Sequence, residues 1–344
     1  MKITKLAFNT ILLSTSLIVG QLQAATPLPY PEGQPLGTIG PIELSNSDLT
    51  LGNTKAYRTW FENGAWQGDL IEYDVDTNGL LDTSINLGGP SPVQDGGSNW
   101  SAHVQFATKG ANYYNERKII TRHSDSGAQI PFRWGDLSDD QVAAIGDIDI
   151  LNFIRGDRSA EKPDGPLRSR LTILGDIVHS NPEYVGAPDE SFADSSYTAF
   201  KNTYLDREPR VYVGANDGML HAFDAATGDE VWAYVPSMLF YKLRLLAGTP
   251  YAHRYYVDGS ITVRDAKLNG DWSTVLIGSL GAGGKGLYAL DVTDPDFTSE
   301  LLGGTKLIGE LGADDPDHSN DIGYIFDATT ITQLHGGERY AMNG

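Results

Sequence analysis

Apolar and polar residues alternate along three stretches of the chain, and the three resemble one another. "WQGDLIEYDVDTNG" starts at Trp66, "VYVGANDGMLHAFDAATGDEVWAYVP" at Val211 and "VLIGSLGAGGKGLYALDVTDPD" at Val275. Each joins a small turn, an alternating strand, an aspartate and a second turn, the period-two pattern of a half-buried strand. The aspartates align as Asp74, Asp224 and Asp291. In the last two stretches "VYVG" or "VLIG" can pair with "LHAFD" or "LYALD" across a glycine-rich turn. Short strand units repeated in this way predict the blades of a propeller. A β-sandwich with similar hairpins is the alternative. Asp224 and Asp291 stand 67 residues apart, farther than a minimal blade requires, so inserted loops are expected.

Helical periodicity is sparse. "SDDQVAAIGDIDILNFIRG" carries apolar residues at Val142, Ile145, Ile148, Ile150 and Leu151, with Ser138 or Asp139 available as an N-cap. It predicts one helix near residues 139–155. "PSMLFYKLRLLAG" predicts a second short helix after Pro236. Residues 25–55 are rich in proline, glycine and serine and read as a linker, with the β region spanning 56–344. Residues 1–24 read as a secretory signal. Lys2 and Lys5 precede the apolar stretch "LAFNTILLSTSLIVG", and "QLQA" ends on Ala24. A retained anchor is the alternative, but the stretch is short for a bilayer. After cleavage no apolar run of spanning length remains, so an exported protein that is not integral to a membrane is expected.

Composition narrows the chemistry. The 344 residues include no cysteine, which excludes disulfides, thiolate zinc sites and iron–sulfur clusters. The formal net charge is −20. Nucleic-acid phosphates demand a basic face, so nucleic acid is excluded as a partner. The 39 glycines, 17 tyrosines and 6 tryptophans suit turn-rich β structure.

"AFDAATGDEVW", Ala222 to Trp232, follows the A-x-D-x-x-x-G-x-x-x-W pattern of quinoprotein-type propeller repeats. In such repeats the positions of Asp224 and Gly228 shape a turn, and that of Trp232 packs between blades. "IPFRW" (Ile130 to Trp134), "ILNFIRGDRSAE" (Ile150 to Glu161), "LRSRLTILGDIVHSNPEYVGAP" (Leu167 to Pro188) and "RVYVGANDGMLHAFDAATGDEVWAYVPSML" (Arg210 to Leu239) follow in order. Together they resemble the C-terminal propeller of the PilC/PilY family of type IV pilus biogenesis and tip-adhesin proteins, from about Tyr57 onward. The resemblance implies a mainly β, partial propeller with one or two short helices in insertions. It implies a non-enzymatic role in pilus assembly, adhesion or retraction control. Expected partners are minor pilins or the major pilin at the pilus tip, and a host-surface receptor. The expected location is the outer membrane or cell surface, in the fimbrium, reached through the periplasm. The family's propeller runs on beyond the equivalent of this chain's last residue and holds a late D-x-D-x-D-G-x-x-D calcium loop, so the chain reads as truncated or reduced.

Three motifs carry candidate chemistry. "YDVDTNGLLD" places oxygens on Asp74, Asp76 and Asn78, a turn at Gly79, a carbonyl at Leu80 and a closing carboxylate at Asp82. This is the donor spacing of a calcium loop. An EF-hand is excluded, because its last ligand would fall on Ile85. A nine-residue Ca2+ loop and a plain Asn-Gly hairpin turn both remain open. "RGD", Arg155, Gly156 and Asp157, reads either as an adhesion tripeptide or as the capped end of a helix. Asp224, Gly228, Trp232 and Asp291 are read as structural positions of the blades. The seven histidines form no catalytic pattern, and His179 and His221 are expected to be structural. A quinoprotein dehydrogenase and a non-adhesive envelope scaffold are the alternative functions.

Overall fold

The alternating stretches fold as antiparallel sheets, because β-branched and aromatic side chains fit a pleated, half-buried surface. The structure is a computed structural model that describes residues 39–46, 48–49, 53–62, 66–81, 98–300, 306–312, 321–333 and 339–342. The expected signal, Asp82, and Asp314, Asp315 and Asp317 of the acidic "DDPDHSND" segment lie outside the described residues. Sheet 1 has the order β1 (Ile39–Leu44), β2 (Lys55–Phe61), β3 (Gly68–Asp74) and β4 (Ser98–Ser101). A largely helical insertion follows, with α1 (Ala102–Thr108), α2 (Tyr113–Glu116), β5 (Ile119–Arg122), β6 (Gln129–Pro131), α3 (Asp139–Ile145) and α4 (Ile148–Arg155). Sheet 2 is built on β7 (Glu183–Val185), β8 (Arg210–Ala215), β9 (Met219–Asp224) and β10 (Glu230–Val235), with α5 (Ser195–Thr203) between β7 and β8. The hairpin β5–β6 extends it, β5 lying parallel to β10.

After β10 come a 3-10 turn, the short helix α6 (Phe240–Leu243) and another 3-10 turn, where the short second helix was expected. Sheet 3 has the order β11 (Ile261–Leu268), β12 (Asp271–Ser279), β13 (Gly286–Asp291) and β14 (Leu307–Gly312). A hairpin, β15 (Thr330–Gln333) and β16 (Arg339–Met342), starts a further sheet. Three four-stranded meanders followed by the start of a fourth make a partial propeller, mainly β with short helices. The expected pairings hold: Val211 faces Phe223 and Val275 faces Asp291.

Two details differ from the sequence reading. The stretch read as a linker contributes β1, paired with β2 through Glu43–Tyr57 and Leu44–Ala56. Pro41 is tolerated there because β1 is an edge strand, where a missing amide costs no ladder bond. The single helix expected over 139–155 is two. Ser138 and Gln141 form a capping box at the start of α3, and Gly146, at φ 87°, closes that helix. Asp147 then caps α4 by accepting a hydrogen bond from the Asp149 amide. The apolar period ran through the break and hid it.

The blades lock through their turns. Trp232 on β10 is fully buried. Its ring lies 5.9 Å from Tyr212 and 6.1 Å from Phe297, and the Lys306 ammonium sits over it at 5.4 Å. It therefore packs between sheets 2 and 3, the position the repeat pattern implies. On the other side of sheet 2, Gly228 lies in the β9–β10 turn at φ 73°, and a Cβ there would stand 2.4 Å from the Trp100 ring. Trp100 of sheet 1 donates to Glu72 at 2.8 Å and to the Ala225 carbonyl at 3.0 Å.

The insertion is fastened by buried charge. Arg117 donates from Nε and Nη2 to Glu230 at 2.6 and 2.7 Å, and His221 pairs with the same carboxylate at 2.7 Å and with Asp217 at 3.1 Å. Burial opposes each charge. The Arg117 guanidinium nonetheless holds the Glu230 carboxyl down at about 2, and the two carboxylates hold His221 up at about 9. Trp232→Ala should lower the unfolding free energy by about 3–5 kcal/mol, the usual loss for a buried tryptophan. Urea melts of both forms check this; a loss within error of zero would remove Trp232 from the packing between sheets.

Candidate functional site

The three repeat aspartates occupy one structural position. Asp74, Asp224 and Asp291 each end the third strand of a four-stranded meander. Lys55, opposite Asp74 on β2, pairs with it at 2.5 Å, and Arg210, opposite Asp224 on β8, pairs with it at 2.9 Å. Asp224 Oδ1 also accepts from the amides of Ala226 and Thr227, and Asp291 Oδ1 from that of Thr293. These are turn-organising bonds of the Asx kind.

The stretch after Asp74 is arranged in the same way. Asp76 Oδ1 accepts from the amides of Asn78 and Leu80, both at 2.8 Å, and the Leu80 carbonyl accepts from the Asp76 amide at 2.9 Å. The Leu80 amide bond holds the Asp76 carboxyl below its ordinary pKa. Gly79 takes a left-handed φ of 79°, and Val75 and Leu81 close the hairpin. Of the five proposed calcium donors, Asp74 is paired with Lys55, and Asp76 and the Leu80 carbonyl are spent on the turn. Asp82 lies outside the described residues. Among the described residues, no three histidine, aspartate or glutamate side chains come together as a metal site. The described stretch forms a carboxylate-capped hairpin turn.

Arg155 is turned inward. It ends α4, is 1 % exposed, and donates to the carbonyls of Phe132, Tyr114 and Arg117 and to Glu300. Gly156 is the left-handed C-cap at φ 114°, and Asp157 accepts from Ser159. Arg155 and Gly156 thus form the capped end of α4, with the guanidinium buried.

The densest polar arrangement is built on "LGDIVHS", Leu174 to Ser180, which runs as irregular backbone between the sheets. A Cβ on Gly175 would meet the Asp217 nitrogen at 2.4 Å, and one on Gly68 of β3 would meet the Gly175 carbonyl at 2.3 Å. Only glycine allows these approaches. The Gly175 amide donates to Asp217, the Asn216 amide to the Asp176 carbonyl, and the Gly214 amide to Ser180 Oγ. The connection from sheet 2 to sheet 3 crosses the same place. His253 pairs with Asp176 at 2.5 Å, and His179 pairs with Asp258 at 2.6 Å. Tyr255 stands between the imidazoles, 5.5 Å from His179 and 4.8 Å from His253. Nearby, the Arg168 guanidinium is sandwiched 4.2 Å from each of the Trp66 and Tyr251 rings.

Beside this junction the first strands of the three meanders line a cleft of about 740 Å³. β1 supplies Glu43, β7 Glu183 and β11 Arg264. Burial and then Glu43 push the Glu183 carboxyl up to about 7, and burial raises Glu43. Sequence reasoning did not single out Glu43, Glu183, Asp176, His253 or Asp258. Each is a lone polar residue in its own stretch, and only the topology gathers them. The one available signal was the run "GDIVHS", already visible as a family segment.

Sheets with equivalent aspartates and tryptophan-locked turns define a quinoprotein-type propeller region. Residues 174–344 match the family model described as the PilY1 beta-propeller domain. The chain is 39 % identical over 314 residues to the type IV pilus biogenesis factor PilY1 of Pseudomonas aeruginosa (strain PAK), covering 84 % of this chain and 25 % of that protein. It is 40 % identical over 279 residues to a PilY1 homolog of Xylella fastidiosa (strain Temecula1 / ATCC 700964), covering 76 % and 21 %. A crystal structure of the Pseudomonas aeruginosa PilY1 C-terminal domain shares 45 % identity, covers 47 % of this chain and 31 % of that one, and superposes with a TM-score of 0.37. The chain belongs to the PilY1 family, and spans about a quarter of the length of the curated relatives it matches. Those relatives are named as biogenesis factors, not as enzymes. Among the described residues no helix is long and apolar enough to cross a membrane.

Asp76→Ala should lower the thermal midpoint equally in calcium and in chelator, since the side chain organises backbone amides. A midpoint that calcium raises in the parent and not in the variant would overturn the turn assignment and restore the metal loop.

Proposed function

We propose that the chain acts in type IV pilus biogenesis by binding other proteins, as an exported component at the outer membrane or cell surface. The supporting observation is its 39 % identity, across 84 % of its length, to a protein named a type IV pilus biogenesis factor. The partners in this reading are minor pilins or the major pilin at the pilus tip. Adhesion to a host surface is the further step, and in this reading it does not use Arg155 to Asp157, because Arg155 is enclosed. The charged cleft between the first strands offers a recessed surface for such a partner.

A strain lacking this chain should carry fewer surface pili by electron microscopy and move less by twitching, and returning the chain should restore both. Unchanged piliation and twitching would sink the proposal. Protease shaving of intact cells should cleave the chain if it is surface-exposed; full protection would favour a periplasmic scaffold.

A further inference from the structure

The two histidine–aspartate pairs at the junction cross. Asp176 and His179 lie three residues apart on the buried segment, and His253 and Asp258 lie on the connection that leads into sheet 3. The first residue of one segment bonds the first of the other, and the second bonds the second. Asp176 and Asp258 are enclosed, His253 is nearly so, and the His179 side chain is 55 % exposed. The His179 amide also reaches Asp258, and the Tyr256 amide reaches Asn216 on the β8–β9 turn. The apolar cluster the two segments share is small, Phe61, Val178 and Tyr255 with Ala282, while Tyr256 and Val257 anchor the connection in the main core and Leu174 and Ile177 anchor the buried segment in a second cluster.

We propose that these crossed pairs form a pH-sensitive clamp, which fastens the connection entering sheet 3 to the junction of sheets 1 and 2 and loosens as the surroundings pass from mildly acidic to mildly alkaline. Each pair joins an imidazole to an enclosed carboxylate, with His253 nearly buried and His179 half exposed. Losing the proton from His179 removes its attraction to Asp258 and leaves that buried carboxylate without its cation. The charged and titratable groups facing the pairs are few. Arg168 and Tyr251 face Asp176 from one side, and Asp258 and Asp176 lie within reach of each other. Lys242 of α6 donates to the Tyr255 carbonyl. Arg254 neighbours His253 along the chain.

The direction of the effect is uniform. The bond to Asp258 raises His179 above its ordinary 6.5. Burial raises Asp176 and Asp258 above their ordinary 3.8. All three groups hold protons more tightly in the closed form than in an opened one. The closed form therefore gains on acidification, and loses stability as pH rises through these closed-form pKa values. Within the neutral range the change falls on His179.

The test is amide hydrogen exchange of the whole chain at pH 6 and pH 8, corrected for intrinsic exchange chemistry. Peptides covering 174–180 and 253–258 should be severalfold better protected at pH 6 than at pH 8. Peptides of β8 and β9 should be unchanged. In a His179→Gln/His253→Gln variant the pH dependence should vanish. Flat protection in the parent, or a dependence that persists in the variant, overturns the clamp. Should the double variant not fold, His179→Gln alone serves, since that side chain is half exposed. Nitrogen-detected NMR of the parent imidazoles gives the same decision independently. A His179 that titrates at or below 6.5 rejects the proposal, and one that titrates above it supports the proposal.

Discussion

Segment Leu174 to Ser180 is the constraint on which the sheets depend. It belongs to no sheet, yet its backbone touches all three meanders. Gly68 of sheet 1 presses on the Gly175 carbonyl, the β8–β9 turn of sheet 2 bonds Gly175 and Asp176, and Asp258 on the approach to sheet 3 bonds His179. Irregular backbone in an interior must satisfy its amides and carbonyls without a ladder. Here the Asp217 and Asp258 carboxylates accept the Gly175 and His179 amides, the Asn216 amide donates to the Asp176 carbonyl, and Ser180 Oγ in turn accepts the Gly214 amide of β8. Such an arrangement tolerates little substitution, because each polar side chain would leave a buried group unpaired if it were removed.

The buried charges follow from the same geometry. A helical insertion laid against a sheet cannot use strand pairing to set its position, and a purely apolar contact would let it slide. Arg117, Arg155 and Arg170 each end in a fixed set of acceptors: Glu230, Glu300 and Glu161, with carbonyls completing the fork. Burying such pairs costs solvation, and the net contribution to stability is small. What they add is position, because a guanidinium fork accepts only one arrangement of oxygens.

Much of the architecture was legible in the sequence. The strand period, the glycine turns and the A-x-D-x-x-x-G-x-x-x-W run located β8, β9, β10, β12 and β13, because those signals act within ten residues. β1 was hidden because its prolines and glycines looked like a linker, and only its pairing with β2 makes it a strand. The α3–α4 break was hidden because Gly146 and Asp147 sit inside a continuous apolar period. The junction and the cleft were not legible. Their members, such as Asp176 with His253 or Glu43 with Glu183, are separated by 77 and 140 residues, and no local pattern records which loops a propeller brings together.

The repeat aspartates explain why a metal-like spacing arose at Tyr73 to Asp82. A strand ending at the rim of a blade needs a side chain to hold the turn that follows, and a short carboxylate does this by accepting nearby amides. The rim charge then needs compensation. Lys55 and Arg210 provide it from the second strand, and Asp291 relies on the Thr293 amide. In the first blade the turn-forming task passes to Asp76, two residues on, and Asn78 and Gly79 complete the hairpin. Oxygens at alternate positions are thus what a carboxylate-capped Asn-Gly turn produces on its own. A calcium ion selects the same residue types for the same reason, since both the amide hydrogens and the cation seek a convergent set of oxygens. Around Asp76 the amide hydrogens already take this convergent set of oxygens as acceptors.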